Sequence, residues 1–200
     1  MRMLLGLVRP SAGRAWLNGR PLPDPDGLAR VGAMIEKPAF YPWLSGRRNL
    51  EVLALCGRPL PRGDAIEVAL DQVALTPVAG RKVKAYSQGM RQRLGLAASL
   101  LRDPTLLLLD EPTNGMDPAG IREFRSVLRA LADGGTTVFL SSHLLAEVEQ
   151  VCDRVAVLHA GRLVEEGRIA ELTGEHAGLE AAFLHLTGDD GEVGDAPAPR

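Results

Sequence analysis

The segment from Leu106 to Pro118 constrains the fold of this chain more than any other part of the sequence. Four consecutive leucines before Asp110 and Glu111 are typical of a buried strand that ends at the edge of a parallel sheet. Asp117-Pro118 then supplies an N-cap and a proline at the first helical position, so we expect a helix to begin there. The segment predicts a buried strand, a short loop carrying two carboxylates, and a helix.

Two adjacent carboxylates at the end of a buried strand can perform two different tasks. Asp110 can reach a metal ion through an ordered water, while Glu111 points elsewhere and can polarise a water for in-line attack on a phosphate. The alternative is that the Asp-Glu pair simply ends the strand at the solvent edge. Four leucines followed by Asp alone would not decide between these two interpretations. The continuation from Pro112 to Pro118 favours the catalytic interpretation.

The rest of the sequence predicts an α/β protein. Residues 1–9 are expected to end a helix, Asn18-Gly19 predicts a hairpin turn, and Ala160-Gly161 predicts a second tight turn. The predicted strands are 30–35, 105–110, 136–141, 154–159 and 162–166, and the predicted helices are 47–56, 64–73, 88–101, 118–133 and 143–151. The alternation of strands and helices favours a parallel sheet with flanking helices, and 47–104 forms a helical insertion.

Composition excludes several classes of protein. An apolar content of 46% and a net charge of −2 fit one globular domain, and the interspersed charges give no reason to expect a nucleic-acid partner. Cys56 and Cys152 form neither a C-x-x-C pair nor a disulfide framework, which favours a reducing compartment. No run approaches the roughly 20 apolar residues of a membrane span. Residues 187–200 are poor in large apolar side chains and are expected to be a disordered tail.

Three further segments before and after Asp110 carry patterns that indicate a function. Tyr86–Arg93 places Ser87 as an N-cap 23 residues before Asp110, and a glycine beside exposed helix N–H groups suits an anion. His143 follows the strand at 136–141. The segment Phe40–Leu44 holds four large apolar side chains, and it predicts either a contact surface or core.

These segments, in this order and spacing, resemble ATP-binding-cassette (ABC) ATPases, especially the exporter subunits of the bacitracin, lantibiotic and drug-efflux kind. Residues 106–118 resemble the Walker B and D-loop, and 86–93 resemble the signature motif. Ser141–His143 resembles the H-switch, and Val31–Pro38 the Q-loop, with Glu36 where the family usually has glutamine. The resemblance implies a P-loop NTPase fold with a mostly parallel ABC-type sheet and a helical subdomain at about 47–104.

The resemblance also implies cofactors, partners and residue roles. ATP and Mg²⁺ would be bound, with a transmembrane permease docking on about residues 36–46 and a second ATP-binding subunit forming a head-to-tail dimer. The protein would be cytoplasmic and peripheral on the inner face of the membrane. The implied roles are catalysis for Glu111 and His143, metal binding for Asp110 and Glu36, and nucleotide contacts for Ser87, Gln88, Gly89, Glu36 and Asp117.

One expected motif is absent, because the sequence contains no phosphate-binding G-x-x-x-x-G-K-[ST] loop. We therefore expect residues 1–186 to be an ABC ATPase domain that lacks its N-terminal strands and Walker A loop, unable to hydrolyse ATP alone. Three hypotheses stay open at this point. The chain is part of an ATPase subunit with an upstream start, a silent partner that lends its signature motif to another subunit, or a non-functional fragment.

Overall fold

The computed structural model describes residues 1–35, 38–56, 60–174 and 176–188. They fall into two compact units, one ending at Ser141 and one beginning at Ser142. Glu36, predicted to contact metal and nucleotide, lies outside the described residues, as does the tail from residue 189 onward.

The first unit begins with turns and a small hairpin. Residues 1–9, predicted to end a helix, instead form turns, because Gly6 has a φ of +70° and the Leu7 N–H donates to the Arg2 carbonyl. The hairpin strands are β1 (Trp16–Leu17) and β2 (Arg20–Pro21), followed by the short helix α1 (Pro25–Leu28). Asn18 and Gly19 have φ values of +51° and +75°, which confirms the predicted Asn-Gly turn.

A three-stranded parallel sheet forms the centre of this unit. Its strands are β3 (Val31–Met34), β4 (Leu106–Asp110) and β5 (Thr137–Ser141), in the order β3-β4-β5. The middle strand, β4, carries Leu107, Leu108 and Leu109, which are at most 1% exposed. The register places Asp110 opposite Ser141, so the predicted carboxylate lies at the end of a buried central strand.

Three helices confirm the predicted helical insertion between β3 and β4. They are α2 (Gly46–Leu55), α3 (Ala65–Gln72) and α4 (Gln88–Leu100), with short 3₁₀ turns at Thr76–Val78 and Val83–Ala85. Helix α4 lies so close to β3 that a Cβ on Gly32 would stand 2.4 Å from the Ser99 carbonyl oxygen. The glycine therefore fixes the approach of α4 to the sheet.

Helix α5 (Pro118–Asp133) joins β4 to β5. It begins at the predicted Asp117-Pro118 pair and ends at Gly134. The apolar spacing in the sequence predicts a stripe of Ile121, Phe124, Val127, Leu128 and Leu131, of which the last four are buried and Ile121 is half-buried.

The second unit combines helices with an antiparallel strand pair. Its elements are α6 (Leu145–Val151), β6 (Arg154–His159), β7 (Arg162–Arg168), α7 (Ile169–Leu172) and α8 (Leu179–Thr187). Strand β6 pairs antiparallel with β7, as the predicted tight turn between them requires. The turn consists of Ala160 (φ +48°) and Gly161 (φ +76°), and it brings consecutive strands side by side.

Two predicted boundaries in the second unit move. Helix α6 starts at Leu145 and not at His143, because the Ser142 hydroxyl accepts the Leu144 N–H at 3.0 Å. Helix α8 includes Thr187, where the disordered tail was predicted to begin, and Gly188 ends it with a φ of +72°. Among the described residues, no helix is long and apolar enough to cross a lipid bilayer.

Candidate nucleotide site

The carboxylate of Asp110 is held in place by the neighbouring strand. The Ser141 hydroxyl donates to Asp110 Oδ1 at 2.5 Å, and its oxygen accepts the Glu111 N–H at 3.3 Å. One serine on β5 therefore orients the carboxylate and the peptide that follows it. A carboxylate fixed in this way is prepared to bind a cation without reorganising.

Glu111 leaves the direction of the strand because its backbone is left-handed. Its φ is +47°, and its N–H also donates to the Ser141 carbonyl at 3.2 Å. A non-glycine residue in this region carries a conformational cost on the order of 1–3 kcal/mol, and such residues concentrate at functional sites. The left-handed turn at Glu111 therefore ends strand β4 directly after Asp110.

A single carboxylate at the end of a strand is a kind of ligand that Mg²⁺ accepts. The described residues contain no cluster of three or more His, Cys, Asp or Glu side chains that could enclose a metal ion. Mg²⁺ needs only one or two carboxylates, because waters and substrate phosphates complete its octahedral shell. Asp110 at the strand end fits that requirement.

The signature segment presents an exposed helix N-terminus, as predicted. Ser87 is the N-cap of α4, and its hydroxyl accepts the Met90 N–H at 3.2 Å. Gln88 is half-buried, and its Oε1 accepts a hydrogen bond from Arg91 Nη2 at 3.3 Å. The first turn of α4 therefore offers backbone N–H groups to an anion, while the Gln88 side chain is engaged with its own helix.

Gly89 brings the signature segment next to the turn that contains Asp117. A Cβ on Gly89 would lie 3.3 Å from Met116 Cε and 3.8 Å from Gly120 Cα. Asp117 caps α5 by accepting the Gly120 N–H at 2.6 Å. The structure thus places the first turn of α4 beside the first turn of α5.

Sequence reasoning assigned no role to Met116, although it fills the space between these two turns. Its Cε also lies 3.3 Å from the position of a Cβ on Gly120. The signal in the sequence was the pair of glycines, Gly89 and Gly120, that leave room for a long side chain. An ion pair between Arg93 and Glu123, at 3.2 Å, joins the same two helices.

The aromatic segment after β3 lies mainly on the surface. Tyr41 is 49% exposed and Trp43 is 63% exposed, and their ring centroids are 5.5 Å apart. Phe40 and Leu44 are half-buried. Of the two predicted interpretations, a contact surface fits Tyr41 and Trp43, and burial in the core does not.

His143 belongs to the second unit. It is exposed and lies in a bend between β5 and α6. Asp110, Glu111, Ser87, Gln88, Gly89 and Asp117 all belong to the first unit.

Known proteins are similar to this chain in sequence and in fold. The ABC transporter family model matches residues 1–114. The bacitracin transport ATP-binding protein BcrA of Enterococcus faecalis is 43% identical over 86% of this chain, and the lantibiotic transport ATP-binding protein SrtF of Streptococcus pyogenes is 39% identical over 83%. A solved structure of an ATP binding subunit of an ABC transporter is 25% identical, covers 93% of this chain and 81% of its own, and has a TM-score of 0.75.

The alignments cover most of this chain but a smaller share of its relatives. The chain spans only 56% of BcrA and 71% of SrtF. The family model nevertheless includes β3, α4 and β4, and ends just after the two carboxylates of the candidate site. This chain belongs to the ABC transporter family, and its α/β fold is that of the ATP-binding subunits.

Proposed function

We propose that this chain is the ATP-binding part of an ABC exporter and couples ATP binding and hydrolysis to efflux of a drug or peptide. The observation that carries the proposal is the geometry of Asp110, which ends a buried central strand and is oriented by the Ser141 hydroxyl at 2.5 Å. The similarity to bacitracin and lantibiotic transport proteins supports the exporter class.

In this proposal each site residue has one task. Asp110 holds Mg²⁺, with Glu36 as a second contact, and Glu111 polarises the attacking water. His143 orients that water by donating to the γ-phosphate. Ser87, Gln88 and Gly89 bind the nucleotide held by the opposite subunit through the N-terminus of α4. Mg²⁺ when bound supplies charge neutralisation for the phosphate oxygens.

The partners are a second ATP-binding subunit and a membrane permease. A head-to-tail dimer would let Asp117 link the two nucleotide sites, because its turn lies beside Gly89 in the same chain. The permease would dock on about residues 36–46, where Tyr41 and Trp43 are exposed. This arrangement places the protein on the inner face of the membrane.

A second candidate function is that of a silent subunit, and the position of Ser87 at the N-terminus of α4 supports it. The sequence contains no G-x-x-x-x-G-K-[ST] motif, so we infer that these 200 residues do not turn over ATP unaided. They can still lend Ser87 and Gly89 to an intact partner, as a silent subunit would. Turnover by the purified 200-residue chain that is abolished by Glu111→Gln would contradict this inference.

ATP-dependent pairing tests the step that both candidate functions require, in which Ser87 and Gly89 bind the nucleotide of the opposite subunit. The chain is mixed with an intact ATP-binding subunit of the bacitracin type whose catalytic glutamate is replaced by glutamine, so that bound ATP persists. Sedimentation should show a heterodimer only with ATP and Mg²⁺. Gly89→Asp should abolish pairing, because a carboxylate at the α4 N-terminus repels phosphate.

A matched control is Gly63→Asp, because Gly63 is exposed and a side chain there meets nothing within 4 Å. This variant should pair as well as the unchanged chain. Equal pairing by Gly89→Asp and Gly63→Asp, or no pairing by the unchanged chain, would refute the proposed role of the signature segment.

A further inference from the structure

A set of hydrogen bonds connects the exposed aromatic pair to the residue that precedes Ser87. Two segments take part, residues 41–47 and residues 79–86, and we call this pair of segments the bracket. Backbone N–H groups of Val83 and Lys84 donate to the carbonyls of Leu44 and Pro42, both at 2.9 Å. Three further backbone contacts continue the pairing: Gly46 N–H to Arg81, Arg47 N–H to Ala79, and an antiparallel bridge between Ser45 and Lys82.

Asn49 fixes the end of the bracket that carries the aromatic rings. It lies on α2 and is 2% exposed. Its Oδ1 accepts the Tyr41 N–H at 2.8 Å, and its Nδ2 donates to the carbonyls of Tyr41 at 3.1 Å and Ser45 at 3.0 Å. The buried Asn49 amide therefore binds both the N–H and the carbonyl of Tyr41 to the first turn of α2.

Tyr86 fixes the other end, immediately before Ser87. Its ring is 3% exposed, and its hydroxyl donates to the Val78 carbonyl at 2.9 Å. The ring packs directly on Gly46, where a Cβ would stand 2.4 Å from the Tyr86 hydroxyl oxygen. Arg91 Nη1 donates to the Tyr86 carbonyl at 2.6 Å, so the peptide that leads into Ser87 is held as well.

Both ends of the bracket meet on the first turn of α2. Gly46 supports Tyr86, and Asn49, three residues later, supports Tyr41. A buried amide with three hydrogen bonds and a buried ring on a glycine leave these segments little freedom to move separately, because displacement would strand buried polar groups.

We propose that Asn49 and Tyr86 are positioning residues that fix Ser87 relative to the Tyr41–Trp43 surface. A partner that displaces the aromatic pair then displaces the first turn of α4 with it. This inference rests on the proposed function, in which Tyr41 and Trp43 receive the permease and Ser87 reaches the nucleotide. Neither Asn49 nor Tyr86 touches the nucleotide in this arrangement.

Hydrogen exchange of the 200-residue chain tests the bracket without any partner. Asn49→Ala should accelerate exchange at Tyr41, where the bond is removed, and also at Val83, Lys84 and Met90. The expected acceleration is about three- to tenfold, the equivalent of one net hydrogen bond. Tyr86→Phe, which removes only the hydroxyl, should accelerate the same distant amides. Acceleration confined to Tyr41 would overturn the proposal.

One control variant and one fallback variant make the exchange result interpretable. Val52→Ala changes an exposed side chain of the same helix, 37% exposed, and should leave exchange at Val83 and Met90 unchanged. Tyr86→Phe removes a single hydroxyl and carries the test alone if Asn49→Ala does not fold. Equal acceleration by Val52→Ala and Asn49→Ala would overturn the proposal.

The pairing assay separates this inference from the proposed function. Asn49→Ala and Tyr86→Phe should weaken ATP-dependent pairing about three- to tenfold without abolishing it, whereas Gly89→Asp abolishes it. If the unchanged chain does not pair, the proposed function fails and the exchange result alone decides the bracket. If the chain pairs and both positioning variants pair equally well, Asn49 and Tyr86 do not position Ser87.

Discussion

The close approach of α4 to β3 gives a prediction whose magnitude follows from the space around Gly32. Gly32→Ala would place a Cβ 2.4 Å from the Ser99 carbonyl oxygen, 2.6 Å from Leu107 Cδ2 and 3.1 Å from Pro104 Cγ. The carbonyl belongs to the backbone of α4, so it cannot rotate away as a flexible side chain would. To reach an ordinary contact of 3.4 Å, α4 and β3 must separate by about 1 Å.

Forced separation of packed elements typically costs about 1–3 kcal/mol. Replacing glycine by alanine also restricts the unfolded chain, which offsets about 0.4–1 kcal/mol of that cost. We therefore expect Gly32→Ala to lower the free energy of unfolding by about 1–2 kcal/mol. Urea denaturation followed by circular dichroism measures this difference, because α4 and the sheet contribute directly to the signal.

Gly63→Ala is the matched control for this measurement. A Cβ at Gly63 meets nothing within 4 Å, so we expect stability to stay equal or to rise by up to about 1 kcal/mol. If Gly32→Ala unfolds at the same urea concentration as Gly63→Ala, the close approach of α4 to β3 does not constrain the fold. The reasoning about this contact would then be wrong.

Three further predictions concern single side chains. Ser141→Ala should raise the Mg²⁺ concentration that half-saturates ATP-dependent pairing about tenfold, because Asp110 loses its orienting hydroxyl, and Ser141→Thr should not. Asp117→Ala should lower the free energy of unfolding in urea by about 1 kcal/mol through loss of the α5 N-cap, whereas Asp117→Asn keeps it. Burial raises the pKa of the Tyr86 hydroxyl above 10.0, although Arg81 opposes the shift. The stability that the neutral Tyr86 hydroxyl contributes is therefore complete below pH 10 and is lost as pH rises through the raised pKa. Tyr86→Phe should remove this loss of stability at high pH, and it should also remove the rise in phenolate absorbance that Tyr86 gives above pH 10.

Many of the local features could be predicted from neighbouring residues. Ser87 and Asp117 cap their helices as expected, because an N-cap side chain bonds an N–H only three residues away. Asn18-Gly19 forms its turn because both residues tolerate positive φ. The helical prediction for residues 1–9 was wrong because apolar spacing does not reveal that Gly6 turns left-handed.

The site itself was predicted only in part. Asp110 and Glu111 were recognisable from the leucine run before them, but their support by Ser141 was not, since 31 residues separate Asp110 from that hydroxyl. Met116 carried no motif, and its place between Gly89 and Gly120 appears only when α4 and α5 pack together. Asn49 had no assigned role, and Tyr86 was only the first residue of the segment that resembles the signature motif.

The sequence by itself determined the family, through the order and spacing of several short motifs. It also determined the strand that ends in two carboxylates and the caps and turns, because each of these depends on residues within about four positions of one another. The tertiary structure alone decided that Ser141 orients Asp110 and that Tyr86 packs on Gly46. Those contacts join residues up to 40 positions apart, as Gly46 and Tyr86 are. Their geometry is set by which elements pack together, and no local pattern of residues encodes that packing.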